Sequence, residues 1–168
     1  VILPALSESW ERRLSSCQTL IEAGPLAWRH LADFFASPPS ICRVPSRHVR
    51  LLAPLPRPRK NIICLGWNYA AHAQESAQAT GKKIEVPEHP IIFTKAVTAV
   101  TGPLDDIEVD PAVTSQLDWE VELGVIVGVP VKKVDEDDAL KSVFGYTVVN
   151  DTSARDLQFR HKQFFVGK

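Results

Sequence analysis

Two glutamates set two residues apart carry the first chemical signal in this 168-residue chain. In L-D-W-E-V-E-L-G-V-I-V-G the alternation predicts a strand over 118–127, with Glu120 and Glu122 on one side about 7 Å apart at strand rise. Asp118 and Gly124 share that side. Trp119, Val121, Leu123, Val125 and Val127 fall on the other, which is expected to face a core. Two sheltered carboxylates cannot both stay ionised without a partner, because desolvation and mutual repulsion each oppose it. A cation satisfies them, and oxygen donors alone favour Mg²⁺, Mn²⁺ or Ca²⁺ over zinc. A bare E-x-E is also a common pattern of solvated sheet edges. Asp151, at the end of a strand predicted over 145–149, is a third carboxylate that could complete a metal triad; its alternative role is to cap the helix that follows.

The stretch N-D-T-S-A-R-D-L-Q places Arg155 and Gln158 three residues apart, on one helical face. Arginine there could grip a substrate carboxylate in a bidentate fork, with glutamine adding neutral hydrogen bonds. Either is equally compatible with a solvated helix. In N-Y-A-A-H-A-Q-E-S, His72 and Glu75 stand at i and i+3, so the carboxylate can orient an imidazole able to take a proton from water near neutral pH. A lone histidine in an Ala-rich helix is more often structural. Gly66, Gly81 and the polar stretch 81–90 suggest that this helix acts as a lid, with weak hydrogen-exchange protection over 68–84.

The elements that must position these residues follow from periodicity. Trp10, Leu14, Cys17, Leu20 and Ile21 recur at helical spacing over 9–23, and Gly24 reads as the stop. Pro25 suits the first turn of a second helix whose apolar stripe is Leu26, Trp28, Leu31, Phe34 and Phe35, ended by Pro38-Pro39. These helices make a small N-terminal domain over 1–53, and the Pro-rich stretch 54–60 reads as a connector. From residue 61 short strands take over, at 61–65, 90–94, 118–127 and 145–149, with a helix expected over 69–80. Ser153 with Asp156 resembles a capping box opening a helix towards Phe165. The class is α+β, mostly β in its larger part.

Composition excludes more than it assigns. Hydrophobic residues are 45% and charged residues 23% of the chain, which rules out disorder and collagen-like repeats. A net charge of −1 leaves no basic footprint for nucleic acid or an anionic membrane, and the apolar run 123–131 is too short to span a bilayer. Cys17, Cys42 and Cys64 form neither a disulfide framework nor a zinc pattern, so reduced thiols and a cytoplasmic location are expected. No signal peptide is recognisable, and a chain starting at Val1 with no Met anywhere reads as trimmed.

Five strings occur in the order seen in the fumarylacetoacetate hydrolase family: N-I-I-C-L-G-W-N-Y-A-A-H, P-I-I-F-T-K-A, L-D-W-E-V-E-L-G-V-I-V-G, G-Y-T-V-V-N-D-T-S-A-R-D-L-Q and K-Q-F-F-V-G-K. As an ordered set over about 54–168 they resemble that family closely. The resemblance implies that Glu120, Glu122 and Asp151 bind Mg²⁺ or Mn²⁺, and that His72 and Glu75 form a water-activating dyad on a closing lid. It also implies that Arg155, Gln158 and Lys168 contact the 2-oxo acid end of a substrate, with Lys95 at the site's edge. The implied fold is a mixed β-sandwich roll, assembled as homodimers. In the family the domain continues beyond the position of Lys168, so 61–168 is expected to be its N-terminal part.

The reaction implied is metal-assisted chemistry on a 2-oxo acid through a stabilised enolate: hydrolysis of an acylpyruvate or fumarylpyruvate, or decarboxylation of oxaloacetate. The His72–Glu75 pair favours these. Isomerisation of a 2-hydroxyhepta-2,4-diene-1,7-dioate type of substrate is the rival enzyme reading. A metal-binding scaffold, or a half-domain that needs a partner segment, is the rival of another class.

Overall fold

A computed structural model describes residues 15–40, 43–66, 88–161 and 163–168. The helix expected over 69–80, with His72, Glu75 and the proposed lid, lies outside the described residues, as do Trp10, Leu14 and Cys42. The described chain is α+β and divides into two compact units, neither continuous in sequence: 1–56, 101–105 and 121–150 form the first, and 57–100, 106–120 and 151–168 the second.

The first unit begins with helix α1 (Cys17–Ala23), capped by Ser16, whose hydroxyl accepts from the Thr19 N–H. Gly24 closes α1 and opens α2 (Pro25–Ala36), a double duty that needs its φ of +82°, where a side chain would be strained. Pro25 occupies the first turn, where its missing N–H costs nothing. Leu26 and Phe35, expected on the buried stripe of α2, are exposed; Ala27 is buried instead, and Trp28, Leu31 and Phe34 are half-buried beside it. A stripe on 27, 31 and 34 keeps i, i+4, i+7 spacing, and 26 and 35 lie off it. Trp28 donates its indole N–H to the Leu20 carbonyl and meets Phe144 edge-on at 5.0 Å.

Strand β4 (Val121–Val127) pairs antiparallel with β5 (Val143–Asn150), Leu123 opposite Val148 and Val125 opposite Tyr146; the short helix α3 (Glu136–Ala139) lies between them in the chain. Here one expectation reverses. Val121, Leu123, Val125 and Val127 point outward with Tyr146 and Val148, whereas Glu122, Gly124 and Ile126 are half-buried. Alternation shows that a strand has two faces without deciding which one is covered. Among the described residues of this unit, helices of 7 and 12 residues are too small a layer to cover both faces of the ladder.

The second unit holds two further antiparallel ladders. β1 (Ile62–Gly66) pairs with β2 (Ile91–Lys95), and β3 (Leu117–Asp118) pairs with β6 (Ser153–Ala154). The single strand expected over 118–127 is therefore two, interrupted at Trp119 and Glu120, because its halves take different partners. The helix after β6 is α4 (Arg155–Arg160), shorter than the span to Phe165, and a 3₁₀ turn follows at Phe165–Gly167. No capping box forms at its start. Ser153 is a strand residue, and the Asp156 carboxylate instead accepts the Thr114 hydroxyl at 2.6 Å. Most of the buried polar residues belong to this unit: Lys95, Thr114, Asp151, Ser153 and Gln158.

Candidate active site

Within the second unit the Asp151 N–H donates to the Glu120 carbonyl at 2.8 Å, which sets the two acid-bearing residues opposite one another. Their carboxylates converge on one cation. The Lys168 ammonium lies 2.7 Å from Glu120 Oε1 and 2.9 Å from Asp151 Oδ2, and its side chain is only 2% exposed. A lysine charge so deeply buried is retained only when paired, and here two anions share it. The Phe93 ring, 5.0 Å from the ammonium, closes another side.

Lys95 stands behind Asp151. Its ammonium is 2.6 Å from Asp151 Oδ1 and 2.9 Å from the Thr152 carbonyl, and its side chain is 8% exposed. Lys95, expected at the site's edge, is buried. Ser153, with no exposed surface, donates its hydroxyl to Glu120 Oε1 at 2.7 Å. Arg155 places Nη1 2.9 Å from the same oxygen. Gln158, buried on the same face of α4, accepts from Arg155 Nη1 at 3.0 Å, as the i, i+3 spacing requires.

Arg155 is also bound to a residue that the sequence reading left unassigned. Its Nε and Nη2 both donate to Asp118 Oδ2, at 2.9 and 2.8 Å. That guanidinium, helped by the Trp119 N–H, holds the Asp118 carboxyl below the usual carboxylate range. The fork expected for a substrate carboxylate is thus spent on protein acceptors. Asp118 shares its strand face with Glu120 in the sequence pattern, and Ser153 sits between Asp151 and Arg155; those adjacencies were the available signals.

Gly167 explains how the chain can bring Lys168 here. A Cβ on Gly167 would stand 2.6 Å from the Gln158 backbone nitrogen and 2.9 Å from the Ala154 carbonyl, so only glycine lets the turn approach α4 this closely.

Six of the nine expected site residues are therefore gathered in this unit: Glu120, Asp151, Arg155, Gln158, Lys168 and Lys95. Glu122 belongs to the first unit, opposite Val149 in the β4–β5 ladder. His72 and Glu75 lie outside the described residues. Among the described residues no three His, Cys, Asp or Glu side chains form a ready metal cage. What the second unit does show is two hard oxygen donors already sharing one cation, the ammonium of Lys168, and that donor chemistry fits Mg²⁺ or Mn²⁺. Burial raises the Cys17 thiol above its ordinary value. Among the described residues no helix is long and apolar enough to cross a membrane.

The chain is similar to proteins with several named activities. It is 52% identical over 120 residues to oxaloacetate tautomerase YisK of Bacillus subtilis, covering 71% of this chain and 38% of that protein. Among solved structures, fumarylacetoacetate hydrolase from the psychrophile Exiguobacterium antarcticum matches with a TM-score of 0.59 and 46% identity, over 74% of this chain and 42% of that one. A 2-hydroxyhepta-2,4-diene-1,7-dioate isomerase from Mycobacterium marinum matches with a TM-score of 0.60 and 34% identity, over 74% and 42%. This chain thus spans less than half the length of each. The family model described as fumarylacetoacetate (FAA) hydrolase C-terminal matches residues 61–168, the stretch that carries Glu120, Asp151 and their lysines. The chain belongs to the fumarylacetoacetate hydrolase family.

Proposed function

We propose that this chain carries the acid and lysine half of an enzyme site that acts on 2-oxo acids with a divalent cation, and that its reaction is keto–enol tautomerisation of a 2-oxo dicarboxylate such as oxaloacetate. The observation that carries the reading is the convergence of Glu120 and Asp151 on a single buried cation. Those two carboxylates, with Glu122 as the third donor the sequence implies, would hold Mg²⁺ or Mn²⁺. When bound, such an ion supplies Lewis acidity towards the oxygens of the 2-oxo acid.

Among the described residues of the second unit, Asp118, Glu120 and Asp151 balance Lys95, Lys168 and Arg155, so this cluster is formally neutral and draws in no anion by itself. Substrate binding should therefore follow the cation. Lys168 would present its Nζ protons to a substrate carboxylate, and Lys95 keeps Asp151 aimed. Tautomerisation moves one proton between C3 and the C2 oxygen and breaks no bond between heavy atoms. We assign that transfer to His72, which the sequence reading pairs with Glu75 for proton abstraction from water.

The choice of tautomerisation over hydrolysis or decarboxylation rests on the name borne by the 52%-identical Bacillus relative. Isomerisation of a hydroxylated dienoate is the neighbouring reading, supported by the Mycobacterium marinum relative. A homodimer is proposed on the family resemblance, and sedimentation velocity tests it. For the reaction, the ultraviolet absorbance of enol-oxaloacetate is followed with Mn²⁺, with EDTA and with Glu120→Gln. Faster ketonisation that needs Mn²⁺ and disappears in the variant supports the reading; a rate equal to buffer overturns it. Pyruvate release or acylpyruvate cleavage with the same metal dependence would transfer the assignment to decarboxylation or hydrolysis.

A further inference from the structure

Arg155 carries five N–H groups; three donate to protein acceptors, and a fourth contact is an ion pair with Glu120. Nε and one Nη2 hydrogen go to Asp118 Oδ2 and one Nη1 hydrogen goes to Gln158 Oε1, at 2.8–3.0 Å, and Nη1 also stands 2.9 Å from Glu120 Oε1 as an ion pair. Asp118 is itself fixed. It lies in β3 with Ser153 as its ladder partner, and its Oδ1 accepts the Trp119 N–H at 2.9 Å. The backbone of Arg155 is tied to the same region, its N–H donating to the Gln116 carbonyl at 2.9 Å.

We propose that Asp118 is a positioning residue for the cation site: it locks the Arg155 guanidinium, and through it the Glu120 carboxylate, leaving one Nη2 hydrogen of Arg155 for a substrate oxygen. The inference rests on the reading of Glu120 as a cation ligand. Without Asp118 the guanidinium regains its freedom to rotate, and Glu120 loses a fixed neighbour on Oε1. Arg155 would also face an incoming cation with its charge no longer offset. Both effects weaken cation binding. The geometry limits what arginine does with substrate, too: a single N–H orients an oxygen but cannot make the two-pronged clamp of a free guanidinium.

The test is Mn²⁺ affinity, measured by titration calorimetry on the whole chain as wild type, Asp118→Ala, Asp118→Asn, Arg155→Met and Asp118→Ala/Arg155→Met. Loss of a residue that orients a metal ligand costs roughly 10- to 100-fold in affinity, and Asp118→Ala should fall in that range. Asparagine keeps an oxygen acceptor, so Asp118→Asn should recover most of the loss. In the Arg155→Met background the same alanine change should cost less than about twofold, because the path runs through the guanidinium. A second readout needs no metal: the Arg155 Nε–H resonance should exchange slowly with solvent in wild type and Asp118→Asn, and rapidly in Asp118→Ala, with the amide spectrum otherwise retained. Wild-type affinity in Asp118→Ala, or an equal loss with and without Arg155, overturns the inference alone. A wild-type chain that takes up no Mn²⁺ overturns the cation reading, and this inference with it.

Discussion

Replacing Lys95 with methionine keeps the aliphatic stem and deletes one buried charge. Asp151 Oδ1 and the Thr152 carbonyl then lose the donor that holds them at 2.6 and 2.9 Å. Breaking a buried ion pair by removing one partner costs about 3–5 kcal/mol, because the remaining charge is left desolvated. Asp151 keeps Lys168 on its other oxygen, at 2.9 Å, so the loss belongs near the lower end, about 3 kcal/mol. That corresponds to a fall on the order of a hundredfold in the folded-to-unfolded ratio. Urea unfolding followed by far-ultraviolet circular dichroism measures it, with the denaturant slope as a check that the same transition is compared. A Lys95→Met chain within about 0.5 kcal/mol of wild type, the range of an ordinary surface change, would refute the buried pairing of Lys95 with Asp151.

Other outcomes follow from single positions. Gly167→Ala forces a Cβ against the Gln158 backbone and should cost roughly 1–3 kcal/mol, read as a lower melting temperature; an unchanged value would mean that the turn can move aside at no cost. Leu123→Thr keeps β propensity on a side chain that is 60% exposed, so stability should change by less than about 0.5 kcal/mol, and a loss of several kcal/mol would place that face in a core. Asp105 is held below the usual carboxylate range first by its hydrogen bond from Arg50 and then by the Gly102 N–H, and Asp156 first by the Thr114 hydroxyl. A carboxyl with a depressed folded-state pKa contributes stability that is fully present above its unfolded value, about 3.9, and is lost as pH falls through the folded value. Both carboxyl carbons should therefore titrate below model aspartate by NMR, and Thr114→Val should return Asp156 towards the ordinary value.

Local punctuation was legible in the sequence and long-range pairing was not. Gly24, Pro25 and Pro38-Pro39 bound the helices as expected, because caps and breakers act within a turn of where they stand. The strands at Ile62–Gly66, Ile91–Lys95 and Val143–Asn150 were likewise readable from short apolar runs. The break at Trp119 and Glu120 was not, since the alternation runs through it without a flaw; it exists because Leu117–Asp118 pairs with Ser153–Ala154 and Val121–Val127 with Val143–Asn150. The same limit hid which face of β4 is covered. In the candidate site, residue types suggested Glu120 with Asp151 and Arg155 with Gln158. That Arg155 is held by Asp118, and that Lys95 lies buried against Asp151 56 residues along the chain, depends on tertiary contacts that no local pattern encodes.

The central claim is that Glu120 and Asp151 together hold a divalent cation. Its most direct test is the electron paramagnetic resonance signal of free Mn²⁺, titrated against the wild-type chain, Glu120→Gln and Asp151→Asn, each shown by circular dichroism to be folded. The account predicts saturable uptake of a single Mn²⁺ by wild type, displaced by Mg²⁺ and lost in both variants. Uptake of equal strength in all three chains would contradict it.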